Sequence, residues 1–115
     1  MEQINKIEVK GLVGMVKRQE VGGKKVARFT VATNYAYKDG IGAAVIDTQW
    51  HNVSAWEGKN ITDLDKIEKG SKVYVCGRMK YPKYQGQDGQ ERTGCEIQAS
   101  RVTVYDDDDV MQCEM

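Results

Sequence analysis

"NITDLDKIEKG", residues 60 to 70, carries the clearest helical signal in a chain otherwise patterned by alternation. Ile61, Leu64 and Ile67 recur every three residues, Asn60 or Thr62 can cap the start, and Gly70 can close the end. Three strand-like runs precede it. In "INKIEVKGLVGMVKR", residues 4 to 18, Ile7, Val9, Val13 and Met15 share one face, and Gly11 and Gly14 predict a bulge or bend where the strand passes between two sheets. A Gly22-Gly23 turn leads to "KVARFTVATN", where Phe29, Val31 and Thr33 oppose Arg28, Thr30 and Ala32, so the two runs read as a hairpin. "YAYKDGIGAAV", residues 35 to 45, reads as a loop with Tyr35 and Tyr37 near its root, and the third strand follows.

Two runs come after the helix. "KVYVCGRMKYPKY", residues 72 to 84, is a strand whose Pro82 implies an edge or bulged position, because proline lacks the ladder donor. Beyond the polar turn "QGQDGQ", the run "TGCEIQASRVTVY" changes its apolar parity between Ile97 and Val102, which predicts a bulge near Ala99–Ser100. The order is β-β-β-α-β-β. It fits an all-β, five-stranded Greek-key barrel of the oligonucleotide/oligosaccharide-binding (OB) type, with one short helix between strands 3 and 4. A different open α+β sheet shares that order.

With 115 residues the chain has room for one domain, expected over residues 1–105, followed by a short acidic tail at 106–115 expected to be disordered. Twelve glycines, one proline and recurrent β-branched runs argue against a helical bundle. The net charge of zero hides an asymmetry: residues 1–105 hold all 17 Lys and Arg against 12 acidic residues, a surplus of five. A basic body with an acidic tail suits a polyanion binder, and it also suits an ordinary mixed surface with a solvated tail. No apolar run reaches the roughly 20 residues of a membrane span, and the charged start "MEQINKIEVKG" lacks a secretory pattern, so the expectation is cytoplasmic. Cys76, Cys95 and Cys113 are odd in number and unpaired in spacing, which points away from disulfides. With one histidine, a zinc site is not expected either. Cys76 and Cys95 read as small buried residues, and no metal, cofactor or catalytic site is expected: His51 has no visible nucleophile or metal partner.

The third strand, "DTQWHNVSAW", residues 47 to 56, holds both tryptophans. Side chains alternate along a strand, so Trp50, Asn52, Ser54 and Trp56 share a face, the two indoles about 20 Å apart. A core-facing row does not normally carry an asparagine and a serine. Flat rings with polar groups between them are what a single-strand nucleic-acid binder presents: each base stacked on an aromatic side chain is worth roughly 1–3 kcal/mol whatever its sequence.

The runs "NKIEVKGLVG", "VARFTVATN", "TQWHNV", "KIEKGSKVYVCGRM" and "KYQGQDGQERTGCEI", in this order, resemble the bacterial single-stranded DNA-binding proteins over residues 5 to about 105. The resemblance implies an OB barrel, a homo-oligomer that is most often a tetramer, and coating of single-stranded DNA during replication, recombination and repair, in the cytoplasm and on the nucleoid. It adds Tyr37 and Tyr84 to Trp50 and Trp56 as stacking rings, and it places His51 at a contact between subunits. Tyr35 and Tyr81 match no family role and are read as core or subunit-contact residues. Lys38, Lys59, Lys69, Lys72, Arg78, Lys80 and Lys83 are the candidate phosphate ligands, with Arg78, Lys80 and Tyr84 on one strand parity.

The tail departs from the family. "YDDDDVMQCEM" lacks the long linker and the Pro-Phe tip by which members recruit replication and repair enzymes, so that partnership is in doubt; the acidic run is expected to compete with DNA for the basic groove or to aid solubility. Two other readings fit the same residues: a short primosomal or mobile-element paralogue, and an OB barrel used for protein assembly that does not bind DNA.

Overall fold

The computed structural model describes residues 2–105, so the acidic tail and Cys113 lie outside the described residues. Seven strands form: β1 (Ile7–Val21), β2 (Lys24–Lys38), β3 (Ala44–Trp56), β4 (Lys72–Lys80), β5 (Lys83–Gln85), β6 (Glu91–Thr93) and β7 (Glu96–Tyr105). Five of them close a barrel in the order β1-β2-β3-β7-β4, while β5 and β6 form a separate hairpin. All pairings in the barrel are antiparallel except β3 with β7, which run parallel through Val53–Ile97 and Ser54–Gln98. The architecture is the OB fold.

Strand β1 serves both sides of the barrel. Ile7–Leu12 pair with β4, and Leu12–Val21 pair with β2. The expected irregularity lies after Val13, where Gly14 and Met15 together oppose Thr30. This bulge has a consequence that alternation alone misses. Two residues against one reverses the strand's parity, so Val16 packs on the core and Met15, expected on the face of Ile7, Val9 and Val13, is 75% exposed. The Gly22-Gly23 turn joins Val21 to Lys24 with both glycines at positive φ, the requirement of a two-residue hairpin. A second bulge falls where parity predicts it: Cys76 pairs with Arg101 and Gly77 with Ala99, leaving Ser100 as the extra residue, its hydroxyl donating to the Cys76 carbonyl at 3.1 Å.

The core consists of Val9, Val13, Phe29, Val31, Val53, Val73, Val75, Ile97 and Val102, closed at one end by Leu64 and Ile67. Those last two residues belong to the segment expected to be helical. It shortens to a single 3-10 turn, Leu64–Lys66. A repeat of three is the period of a 3-10 helix rather than of an α-helix. The cap is Asp63, whose carboxylate accepts from the Asp65 N–H at 3.1 Å, and not Asn60 or Thr62. Those two instead exchange backbone hydrogen bonds with Val102. Arg18 donates to the carbonyls of Leu64 and Ile67, joining the Ile67 N–H at the first and giving the second, beyond the turn's end, a partner.

Two further expectations change. The segment 35–45 is not a loop at its root: β2 and β3 stay paired out to Lys38–Ala44, and the turn is confined to Asp39–Ala43, where the Asp39 carboxylate accepts from the Ile41 and Ala43 N–H groups. The fourth and fifth strands each break near the 85–90 turn. Strand β4 stops at Lys80, just before Pro82. The Pro82 carbonyl accepts from Gly94 N–H at 2.8 Å at the base of the β5–β6 hairpin, which forms its own two-stranded sheet.

Candidate functional site

The β2–β3 register settles which residues share the barrel's outer face. Trp50 pairs with Ala32, Asn52 with Thr30, Ser54 with Arg28, and Trp56 with Val26. The opposite parity, Phe29, Val31 and Val53, faces the core. Of the two indoles, Trp50 is 58% exposed and Trp56 half-buried. Between them Asn52 is exposed, whereas Ser54 is buried.

Two grooves run over this face and meet at Met15, Val16 and Thr30. The first, of about 750 Å³, is bordered by Trp50 and Gly14 with Arg18, Lys69 and Glu68 around them. The second, of about 630 Å³, is bordered by Tyr84, Pro82 and Gly94 from the β5–β6 hairpin and by Lys17, Arg28, Asn52 and Glu96 from the barrel. Each groove therefore has an exposed aromatic ring and cations in its lining, and the two share Met15, Val16 and Thr30 as a common wall. Tyr84 is 53% exposed. Its ring lies over Gly94, where an added Cβ would be 3.5 Å from Cε1.

The structure brings together only some of the residues expected at a site. Trp50 and Lys69 share the first groove. Trp56 ends β3, six residues beyond Trp50 and outside its groove, beside Glu57, whose carboxylate accepts from Lys25 N–H. Tyr37 has the parity of Tyr35, Val31 and His51, not of Trp50, so it stands on the reverse side of the β2–β3 ribbon. There it packs against Tyr35, ring centroids 6.1 Å apart and planes at 29°. Tyr35 and Tyr81 are 69% and 63% exposed, so neither packs in its own barrel's core. His51 is half-buried with Nε2 2.8 Å from the Thr33 hydroxyl.

Among the cations, Arg78 does not join Tyr84. The break at Pro82 ends the shared parity, and Arg78 instead donates to the Gln98 side chain at 2.9 Å beside a separate hollow that includes Asn5 and Lys6. Lys80 stands opposite Glu96 in the β4–β7 register, and the Lys83 ammonium is 3.7 Å from the Glu91 carboxylate. Lys38 lies at the far end of the ribbon, Lys59 in the exposed turn after β3, and Lys72 half-buried between Leu12 and Tyr105. Arg28 and Lys17, which do line the second groove, were not anticipated. The signal was present: Arg28 and Thr30 alternate outward on β2 opposite the tryptophan row of β3.

The cysteines also differ from expectation. Cys95 is exposed in the crossing from β6 to β7, where it lines the second groove, and Cys76 is half-buried because it points outward from β4. Among the described residues no cluster of three His, Cys, Asp or Glu side chains is placed to hold a metal, and no helix is long and apolar enough to cross a membrane. The Tyr74 phenol is held above its ordinary value by burial, then by hydrogen bonding to Glu8 and by that carboxylate's charge; it lines neither groove.

Residues 4–105 match the model of the single-strand binding protein family. A single-stranded DNA-binding protein of Neisseria meningitidis serogroup A is 35% identical over 101 residues, covering 86% of this chain and 58% of the relative. One from Xylella fastidiosa is 33% identical over 102 residues, with 86% and 62% covered. The chain thus spans about three-fifths of the length of these relatives. Among solved structures, a Plasmodium falciparum SSB complex with ssDNA superposes with a TM-score of 0.74 at 29% identity, covering 92% of this chain and 98% of the other. A small single-stranded DNA-binding protein from Streptomyces coelicolor shares the fold with a TM-score of 0.65 at 23% identity, covering 91% and 96%.

Proposed function

The chain belongs to the single-strand binding protein family, and from that premise we propose that it binds single-stranded DNA without sequence preference and without catalysis. The observation that carries this reading is the exposed Trp50 ring opening onto a groove that adjoins, across Met15, Val16 and Thr30, the groove of the exposed Tyr84. Bases stack on the two rings, and the contact tolerates any base because every base has a π-face. Lys69, Lys17 and Arg28 draw the phosphates along the groove, and Asn52 and Thr30 supply polar contacts between the rings. Trp56 adds a second, weaker stacking surface through its exposed part. Tyr37, on the reverse of the ribbon, takes a strand that leaves the outer face around the hairpin.

The protein works as a homo-oligomer, most simply a tetramer with His51 near a subunit contact, and it protects single strands in replication, recombination and repair in the cytoplasm, on the nucleoid. Titration of intrinsic fluorescence with oligo(dT) tests the binding: strong quenching that weakens with salt is expected. A signal that does not move at any oligonucleotide length favours the protein-assembly reading instead. Light scattering on the same sample gives the assembly state.

A further inference from the structure

The indole of Trp50 reaches from β3 across β2 to β1, where it meets Gly14 in the bulge. A Cβ added at Gly14 would overlap the Trp50 Cζ3, stand 3.0 Å from Cη2 and come within 2.8 Å of the Thr30 hydroxyl. Non-bonded carbons rest at about 3.5–4.0 Å, so even one methyl group requires the ring or the strand to move. Bulges often hold glycine because their first residue adopts a left-handed conformation. That explanation does not apply: the glycines with positive φ are Gly22, Gly23, Gly42, Gly70 and Gly89, and Gly14 is not one of them. Glycine is needed at 14 for space and not for its backbone angle. Thr30 completes the arrangement, since its hydroxyl accepts from Met15 N–H at 3.0 Å and ties the bulge to β2 beneath the ring.

We propose that Gly14 is a positioning residue for DNA binding: its missing side chain is the seat that holds the Trp50 indole against the sheet, pre-ordered for a base arriving from the groove. The functional consequence rests on the reading of Trp50 as a stacking ring. A ring already fixed in its bound orientation loses less freedom when DNA arrives, and that saving appears as affinity.

The test is Gly14→Ala, read in two ways. In DNA-free protein carrying Trp56→Phe and excited where only indole absorbs, so that emission comes from Trp50, Gly14→Ala red-shifts the emission and raises quenching by acrylamide. Against oligo(dT) of any length that binds, Gly14→Ala weakens affinity by roughly fivefold to tenfold, part of the value of one stacked base. In a Trp50→Ala background the same substitution changes affinity little, which a double-mutant cycle reads as coupling. Unchanged emission and acrylamide access would overturn the seat. So would an equal affinity loss with and without Trp50, because Gly14 would then act through the strand alone. If Gly14→Ala does not fold, Gly14→Ala/Trp50→Ala decides: it folds like Trp50→Ala if the clash with the indole is the cause, and failure to fold overturns the proposal. A Trp50→Ala protein with unaltered DNA binding would remove the stacking reading, while the DNA-free spectra would still judge the seat.

Discussion

Trp50 and Trp56 are the same residue type on the same strand with the same parity, yet they occupy different environments. Trp50 sits where β3 borders an open groove, its ring lying on a glycine with Lys69 and Arg18 around the same hollow. Trp56 ends the strand opposite Val26, which is 1% exposed, and is itself half-buried. Alternation decides which side of a sheet a residue faces. What covers that side is decided by neighbours on other strands, and a missing side chain at Gly14 does as much there as the indole itself. Trp50 thus keeps an open face while Trp56 is partly covered by the barrel, and under the proposed function the first ring serves the ligand and the second both ligand and barrel.

The sharpest way to break that distinction is to truncate each ring and measure binding and stability together. Trp50→Ala should weaken oligo(dT) binding by about 1–3 kcal/mol irrespective of base sequence. Its thermal midpoint should move little. Trp56→Ala should do the reverse: about 1–2 kcal/mol of lost folding stability for a half-buried aromatic, and a smaller loss of affinity. Equal losses of affinity for the two variants, at equal stability, would erase the contrast. Tyr84→Ala comes next, with about 1 kcal/mol expected because the ring is smaller and sits on a short hairpin. The smallest effects belong to the cations. Arg28→Gln or Lys69→Gln should each flatten the slope of log affinity against log salt by about 0.7, as one phosphate contact fewer on a single strand requires. Arg78→Gln, next to its own hollow with Gln98, should leave that slope unchanged.

Most of the barrel was legible because alternation is a local property. Val9, Val13, Phe29, Val31, Val73 and Val75 follow it, and both bulges announced themselves, one by glycines and one by a change of parity at Ala99–Ser100. Misreadings arose where a pattern was carried across an interruption. Simple alternation sets Met15 on the face of Ile7, Val9 and Val13 only by continuing parity through the bulge that Gly14 itself predicts. Arg78 was joined to Tyr84 by continuing parity past Pro82, although a proline there ends the ladder. Tyr37 enters through the resemblance, and a loop reading of 35–45 assigns it no face; the strands stay paired there, and five residues from Ala32 to Tyr37 put its ring and that of Trp50 on opposite sides of the ribbon. Ile61, Leu64 and Ile67 were read as an α-helix on a spacing that better describes one 3-10 turn. The groove itself needed three strands in register. Arg28, Lys17 and Tyr84 meet only once β1, β2 and the β5–β6 hairpin are assembled, and no single run of sequence contains that neighbourhood.

The central claim is that Trp50 offers an open ring face to nucleobases. It is tested most directly by the fluorescence of Trp56→Phe protein during titration with oligo(dT), while a labelled oligonucleotide reports binding by anisotropy. Excitation at the red edge of the absorption band, where tyrosine does not absorb, makes the indole signal that of Trp50. The account predicts that the indole emission falls in step with the anisotropy rise and that both shift together as salt is added. An anisotropy rise with constant Trp50 emission would contradict it.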